Sequence, residues 1–207
     1  MKTEQEQLNY INKECNTKYT SLNEVNWESI SAYQKLSEEF IREFQDRVDW
    51  YWISFHQTLS ESFIREFQDR VNWYWVSKCQ KLSEDFIREF KDKVYLNYIV
   101  QYNKLSEDFI REFQDDVDWD CISYHQTLSE SFIREFKDKV DWRFVCMHQT
   151  LSEDFIREFQ DYVDWTNISY HQTLSKEFLR EFKDKIDWRS LFIREDMEQK
   201  LIDLILN

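Results

Sequence analysis

Serine and histidine stand two residues apart three times in this 207-residue sequence, at Ser54/His56, Ser123/His125 and Ser169/His171. A hydroxyl beside an imidazole is raw material for nucleophilic catalysis, with the histidine taking the serine proton. The spacing argues against it, because side chains two apart on a helix diverge. His56, His125, His148 and His171 share one slot of a repeating pattern, which raises a metal reading. Zinc bonds of about 2.0–2.1 Å demand closer ligands than one slot repeated on helices about 8–10 Å apart can supply. A half-buried histidine, bonded locally beside the core, is expected instead.

The remaining chemistry is equally sparse. Cys15, Cys79, Cys121 and Cys146 show no paired spacing, as expected of reduced thiols inside a cell. Glycine is absent, which excludes a phosphate-cradling loop of the usual nucleotide-binding kinds. No catalytic residue, cofactor site or metal site is assigned, and the chain is expected not to be an enzyme. With 27 Lys and Arg against 41 Asp and Glu, the net charge of −14 works against nucleic acid and anionic membranes. Repeat-by-repeat reading of single-stranded RNA is conceivable geometrically, but the same charge opposes it. No apolar run approaches the ~20 residues of a membrane span. The opening MKTEQEQLNY has no apolar h-region, so a cytoplasmic location is expected.

The elements that hold these residues follow from composition and period. A chain without glycine or proline, and with Ala32 as its single alanine, lacks the usual turn formers and points to helices joined by short connections. Trp27, Trp50, Trp73, Leu96, Trp119, Trp142, Trp165 and Trp188 fall 23 residues apart, and Ser37, Ser60, Ser83, Ser106, Ser129, Ser152 and Ser175 keep the same step. Such a period marks a stacked solenoid, and 23 is not a multiple of the coiled-coil heptad. The expected fold is therefore an all-α solenoid of tandem helix-turn-helix repeats forming a curved superhelical rod. Its parts are a divergent, helical cap at 1–26, seven repeats over 27–187, and a partial repeat with a capping helix at 188–207.

Each repeat carries two helix starts. Ser60 reads as an N-cap with Leu59 and Ile64 as a hydrophobic staple, and Asp49 repeats this grammar one helix earlier. Helix A is expected near 50–57 and helix B near 61–70. At 100° per residue, Phe63, Ile64, Phe67 and Val71 share one stripe of helix B. Arg65, Glu66 and Asp69 face away, and the pairs Glu61–Arg65, Arg65–Asp69 and Glu66–Arg70 are expected to contribute about 0.2–0.5 kcal/mol each. In helix A, Trp50, Ile53 and Gln57 point inward, with Ser54 beside them. The column Gln34, Gln57, Gln80, Asn103, Gln126, Gln149, Gln172 reads as a structural ladder bonding carbonyls of its own or the next helix.

Other columns are not fixed. The slot of Tyr51 holds Glu28, Tyr51, Tyr74, Asn97, Asp120, Arg143 and Thr166; that of Trp52 holds Ser29, Trp52, Trp75, Tyr98, Cys121, Phe144 and Asn167; that of Phe55 holds Ala32, Phe55, Lys78, Gln101, Tyr124, Met147 and Tyr170. These columns share the outward arc of helix A. Trp and Tyr are common anchors of protein interfaces. Tyr51, Trp52, Phe55, Tyr74, Trp75, Tyr98, Tyr124, Phe144 and Tyr170 are the candidate partner-binding residues, with another protein as the partner. The competing expectations are that these rings only pack on adjacent A helices, or that they make homotypic contacts in a self-assembling component.

The fourth repeat departs from the pattern, with Tyr95 for the capping acid, Leu96 for Trp and Asn103 for Gln, which predicts a weak point near 95–103. Leu8, Ile11 and Cys15 suggest a helix in the head, and Met197, Leu201, Ile202 and Ile205 a closing helix in the tail. The string W-x-x-I-S-x-H/Y-Q-x-L-S-E-x-F-I-R-E-F-x-D-K-V-D/N, as in Trp119–Asp141, resembles short tandem repeats in uncharacterised proteins of giant DNA viruses that infect amoebae. The resemblance spans 27–187. It implies an expanded repeat family, binding of a host protein and residence in host-cell cytoplasm, and it implies no catalytic role.

Overall fold

The computed structural model describes residues 3–193. Among these residues all regular structure is helical: α1 (Glu4–Glu14), a 3-10 turn at Leu22–Glu24, then short helices alternating A, B, A, B along the chain. In the hairpin that shows the pattern best, helix A is Trp50–His56 and helix B is Glu61–Glu66. Helices this short are unstable alone in water, so packing on neighbouring hairpins sustains them.

The caps are those the sequence specifies. The Asp49 carboxylate accepts from the N–H groups of Tyr51 at 2.9 Å and Trp52 at 3.5 Å, and Ser60 Oγ accepts from Phe63 N–H at 3.2 Å. Leu59 and Ile64, the staple, are both buried. The turns manage without glycine because the backbone stays at negative φ: Gln57 ends helix A extended, at φ −89° and ψ 146°, and Phe67 ends helix B at φ −111° and ψ 28°. Among the described residues the positive φ falls on Asn16, a residue type that tolerates it.

Helix B is shorter than the sequence predicts, stopping at Glu66 rather than near 70. At Phe67 the backbone leaves the helical region, and the N–H groups of Arg70 and Val71 both turn back to the Phe67 carbonyl at 2.9 and 3.0 Å. This turn drives Val71 into the core. It also alters the ion pairing. Arg65 reaches Glu61 only loosely, at 3.9 Å, while its Nε lies 2.7 Å from Glu89 one repeat ahead. Arg70 reaches back to Asp46 at 2.8 Å instead of pairing with Glu66. Arg65 and Arg70 are thus tied mainly to neighbouring repeats, while Arg88, Arg111 and Arg157 also pair with the aspartate three residues back on their own helix, at 3.0, 2.8 and 2.9 Å.

Four ladders stitch one hairpin to the next. The Gln57 amide accepts from Leu36 N–H at 2.9 Å and donates to the carbonyls of Ser31 and Gln34 at 3.2 and 2.8 Å, so it reads the preceding repeat rather than its own or the next. Ser54 Oγ donates to the Trp50 carbonyl at 2.7 Å and accepts from Asn72 N–H at 2.8 Å. Glu38 accepts from Ser60 N–H at 2.6 Å. Arg42 pairs with Glu66 at 2.7 Å. Phe40, Phe63, Phe86, Phe109, Phe132, Phe155 and Phe178 are each fully buried, as is the Ile or Leu that follows each of them.

By contact density the chain forms two compact units, one ending at Asn103 and the other beginning at Lys104. In the first, Leu8, Ile11 and Cys15 are buried along α1, and Tyr10 lies 5.5 Å from the Phe40 ring. Its last A helix, Leu96–Tyr102, follows Tyr95, which makes no side-chain cap bond. The second carries the same ladders, with Arg111–Glu135, Arg134–Glu158 and Arg157–Glu181 at 2.8, 2.8 and 2.9 Å. Each unit is a helical-repeat solenoid. No described helix is long and apolar enough to cross a membrane. The core slots proposed at Met197, Leu201, Ile202 and Ile205 lie outside the described residues.

Candidate functional site

The serine–histidine pairs are taken apart by the helix that carries them. Ser54 is fully buried with both hydroxyl roles occupied by backbone groups, and His56 is exposed. Ser123 and Ser169 repeat this, donating to the carbonyls of Trp119 and Trp165 at 2.7 and 2.6 Å and each accepting an N–H from the following repeat at 2.9 Å. A serine so held has no free proton to give a base. The histidines correct the sequence reading: all four are exposed, not half-buried beside the core. The His slot ends helix A on the outer side, where the rings meet other rings, His56 stacked on Trp52 at 5.3 Å and His148 edge-on to Tyr124 at 4.4 Å.

The four cysteines are free thiols. Burial pushes the Cys146 thiol up to about 12 and the Cys15 thiol up to about 11, and also raises Cys79 and Cys121. All four therefore stay protonated near neutrality and are poor nucleophiles. Among the described residues no three His, Cys, Asp or Glu side chains converge as a metal site would require.

The outer arc of the A helices does gather the candidate aromatics. In the first unit their rings form a continuous chain. Trp52 meets Tyr51 at 5.0 Å and Phe55 at 6.1 Å. Phe55 stacks on Trp75 of the next repeat at 4.1 Å and 27°, and Tyr51 meets the same indole edge-on at 5.7 Å. Trp75 contacts Tyr74 at 4.7 Å, and Tyr74 contacts Tyr98 one repeat further at 4.9 Å. The Tyr98 hydroxyl donates to the Tyr74 hydroxyl at 3.3 Å, a bond that raises the Tyr98 pKa. Lys78 places its ammonium 5.8, 5.4 and 5.7 Å from the rings of Tyr74, Trp75 and Tyr98.

The ribbon is thus neither wholly free nor wholly absorbed by packing. Tyr51 remains 45% exposed, while Trp52, Phe55, Tyr74, Trp75 and Tyr98 are half-buried against one another. The Trp75 indole N–H is buried without an acceptor, an arrangement that costs about 1–3 kcal/mol and that stacking alone does not demand. In the second unit the face is sparser. Tyr124 meets Phe144 edge-on at 5.1 Å, and Tyr170 stands apart, meeting His171 at 4.7 Å. Tyr33, Tyr102 and the histidines belong to the same face, and sequence reasoning left them out. Their column, Tyr33, His56, Cys79, Tyr102, His125, His148, His171, varies from repeat to repeat as the other outer slots do, which was the available signal.

No protein-family model matches the sequence, and no curated protein or solved structure matches it.

Proposed function

We propose that the chain is a non-enzymatic repeat scaffold that binds another protein through the aromatic face of its A helices. The observation that carries this reading is the ring chain from Tyr51 and Trp52 to Tyr98, built from slots that hold Asp120, Arg143, Thr166 and Asn167 in other repeats of the same fold. Folding does not require aromatics there, and half-exposed Trp and Tyr are the residues that anchor protein interfaces. The −14 net charge favours a protein over nucleic acid as the partner. The repeat's resemblance to those of amoeba-infecting giant viruses supports a host protein as that partner, met in the cytoplasm of the infected cell.

The test is affinity capture with the wild-type chain and with a Trp52→Ala/Trp75→Ala double variant, with Asp92→Ala, exposed and outside the aromatic face, as the control. Partners retained by the control and lost by the double variant are expected. Identical partners on all three chains would remove the ribbon. Light scattering runs alongside: ordered oligomers that vanish in the double variant would assign the same face to self-assembly instead.

A further inference from the structure

A rule links the outer slots of successive repeats. The ring in the Trp52 slot packs on the residue that the preceding repeat places in the Phe55 slot. Trp75 lies on Phe55 at 4.1 Å, Tyr98 under the Lys78 ammonium at 5.7 Å, and, in the second unit, Phe144 against Tyr124 at 5.1 Å. Trp52 breaks the rule, because the residue preceding it in that slot is Ala32, and its own slot one repeat earlier holds Ser29. The ring contacts of Trp52 accordingly fall within its own repeat, on Tyr51, Phe55 and His56.

The missing ring leaves space. One hollow of about 290 Å³ is bounded by Asn26, Glu28, Ser29, Ala32, Tyr33 and Trp52, and an adjoining one of about 370 Å³ by Ala32, Tyr33, Leu36 and His56 among others. Tyr33 projects at the shared border, 79% exposed. The floor is a buried methyl group and one wall is an indole, the two surfaces between which Phe55 would sit had repeat one carried a phenylalanine.

We propose that this notch is a binding site for an aryl side chain, the phenyl ring of a phenylalanine offered by the partner polypeptide, which stacks on Trp52 as Phe55 stacks on Trp75. The chain itself supplies the template, since neighbouring repeats fill the equivalent position with Phe55 or Tyr124. The ring removes apolar surface of Trp52 from water and adds an aromatic contact, the usual basis of an interface anchor. For the source of that ring the inference rests on the protein-binding reading of the ribbon.

The test uses the only alanine in the sequence. Full-length protein labelled with methyl-¹³C alanine gives one methyl resonance, at the notch floor, and N-acetylphenylalaninamide serves as the probe. A saturable ring-current shift of that signal is expected, absent with N-acetylalaninamide and lost in Trp52→Leu, which keeps Ala32 the only alanine. Ala32→Phe, which fills the notch from within, is expected to raise the Tm. No shift, an equal shift with the alanine probe, a shift surviving Trp52→Leu, or a lowered Tm in Ala32→Phe overturns the notch. The two readings fail separately: partner loss in Trp52→Ala/Trp75→Ala without a methyl shift keeps the ribbon and removes the notch. A methyl shift with unchanged partners removes the ribbon and keeps the notch as an aryl site.

Discussion

Each hairpin has two sides with different rules. On the inner side, Phe63, Ile64, Ser54 and Gln57 are buried, and their equivalents recur with almost the same partners from repeat to repeat. On the outer arc of helix A, the same backbone carries Tyr51, Asp120, Arg143 or Thr166. What separates them is whether a side chain has buried backbone partners in a neighbouring repeat that few residue types can satisfy. A glutamine that takes one N–H and two carbonyls of the preceding repeat gives way only to another amide, Asn103, which still accepts from Leu82 N–H at 3.0 Å. A ring that lies on another ring can be replaced by anything soluble.

Breaking the inner side should therefore have the largest effect. Phe109 is fully buried with Phe113 4.5 Å away, and Phe109→Ala should lower stability by about 3–5 kcal/mol in urea denaturation. The amide ladder comes next. Gln149 accepts from Leu128 N–H at 2.9 Å and donates to the carbonyls of Ser123 and Gln126 at 3.4 and 2.8 Å. Gln149→Ala strands those groups in the core and should cost about 2–4 kcal/mol. A loss under ~1 kcal/mol would mean that water replaces the amide and that the ladder is not what holds the column fixed.

The comparison is sharpened where a repeat has lost an inner feature. Tyr95 stands where other A helices have a capping Asp or Asn, and no side-chain oxygen bonds the first turn of Leu96–Tyr102. Tyr95→Asp should add about 0.5–2 kcal/mol. The amides of Asn97 and Tyr98 should exchange more slowly, as the equivalents of the Tyr51 and Trp52 amides that Asp49 caps. Unchanged exchange would show that the residue at the cap position is not what limits this turn.

The period, the caps, the staple and the buried Phe–Ile stripe were legible because each is a local pattern with a local cause. The end of helix B at Glu66 was not, since no glycine or proline marks it and the break is a change of φ at Phe67. The ion pairs were assigned along the helix because Glu61, Arg65 and Asp69 have the right spacing there. The partner that wins, Glu89, becomes close only when hairpins stack. The Ser54 hydroxyl was read as merely inward for the same reason: Asn72 N–H belongs to another hairpin. Its column, Ser31, Ser54, Ser77, Val100, Ser123, Cys146, Ser169, holds only small residues and was the clue. Of the outer face, the slots were legible and the stacking of each ring on the previous repeat was not.

The smallest effect belongs to the outer face where it is least packed. Tyr170 is 42% exposed and, among the described residues, its ring meets His171, while Phe178, eight residues on, is fully buried. Tyr170→Ala should change stability by less than about 0.5 kcal/mol, measured beside Phe178→Ala in the same urea series. The ratio matters more than either number. If Tyr170→Ala cost a sizeable fraction of what Phe178→Ala costs, the outer rings would be serving the fold. Their variation would then reflect repacking rather than freedom, and aromatic content on that arc would no longer argue for a partner. A near-zero cost leaves Tyr170 unexplained by stability, and it strengthens the case that the denser ring chain from Tyr51 to Tyr98 exists for a contact outside the chain.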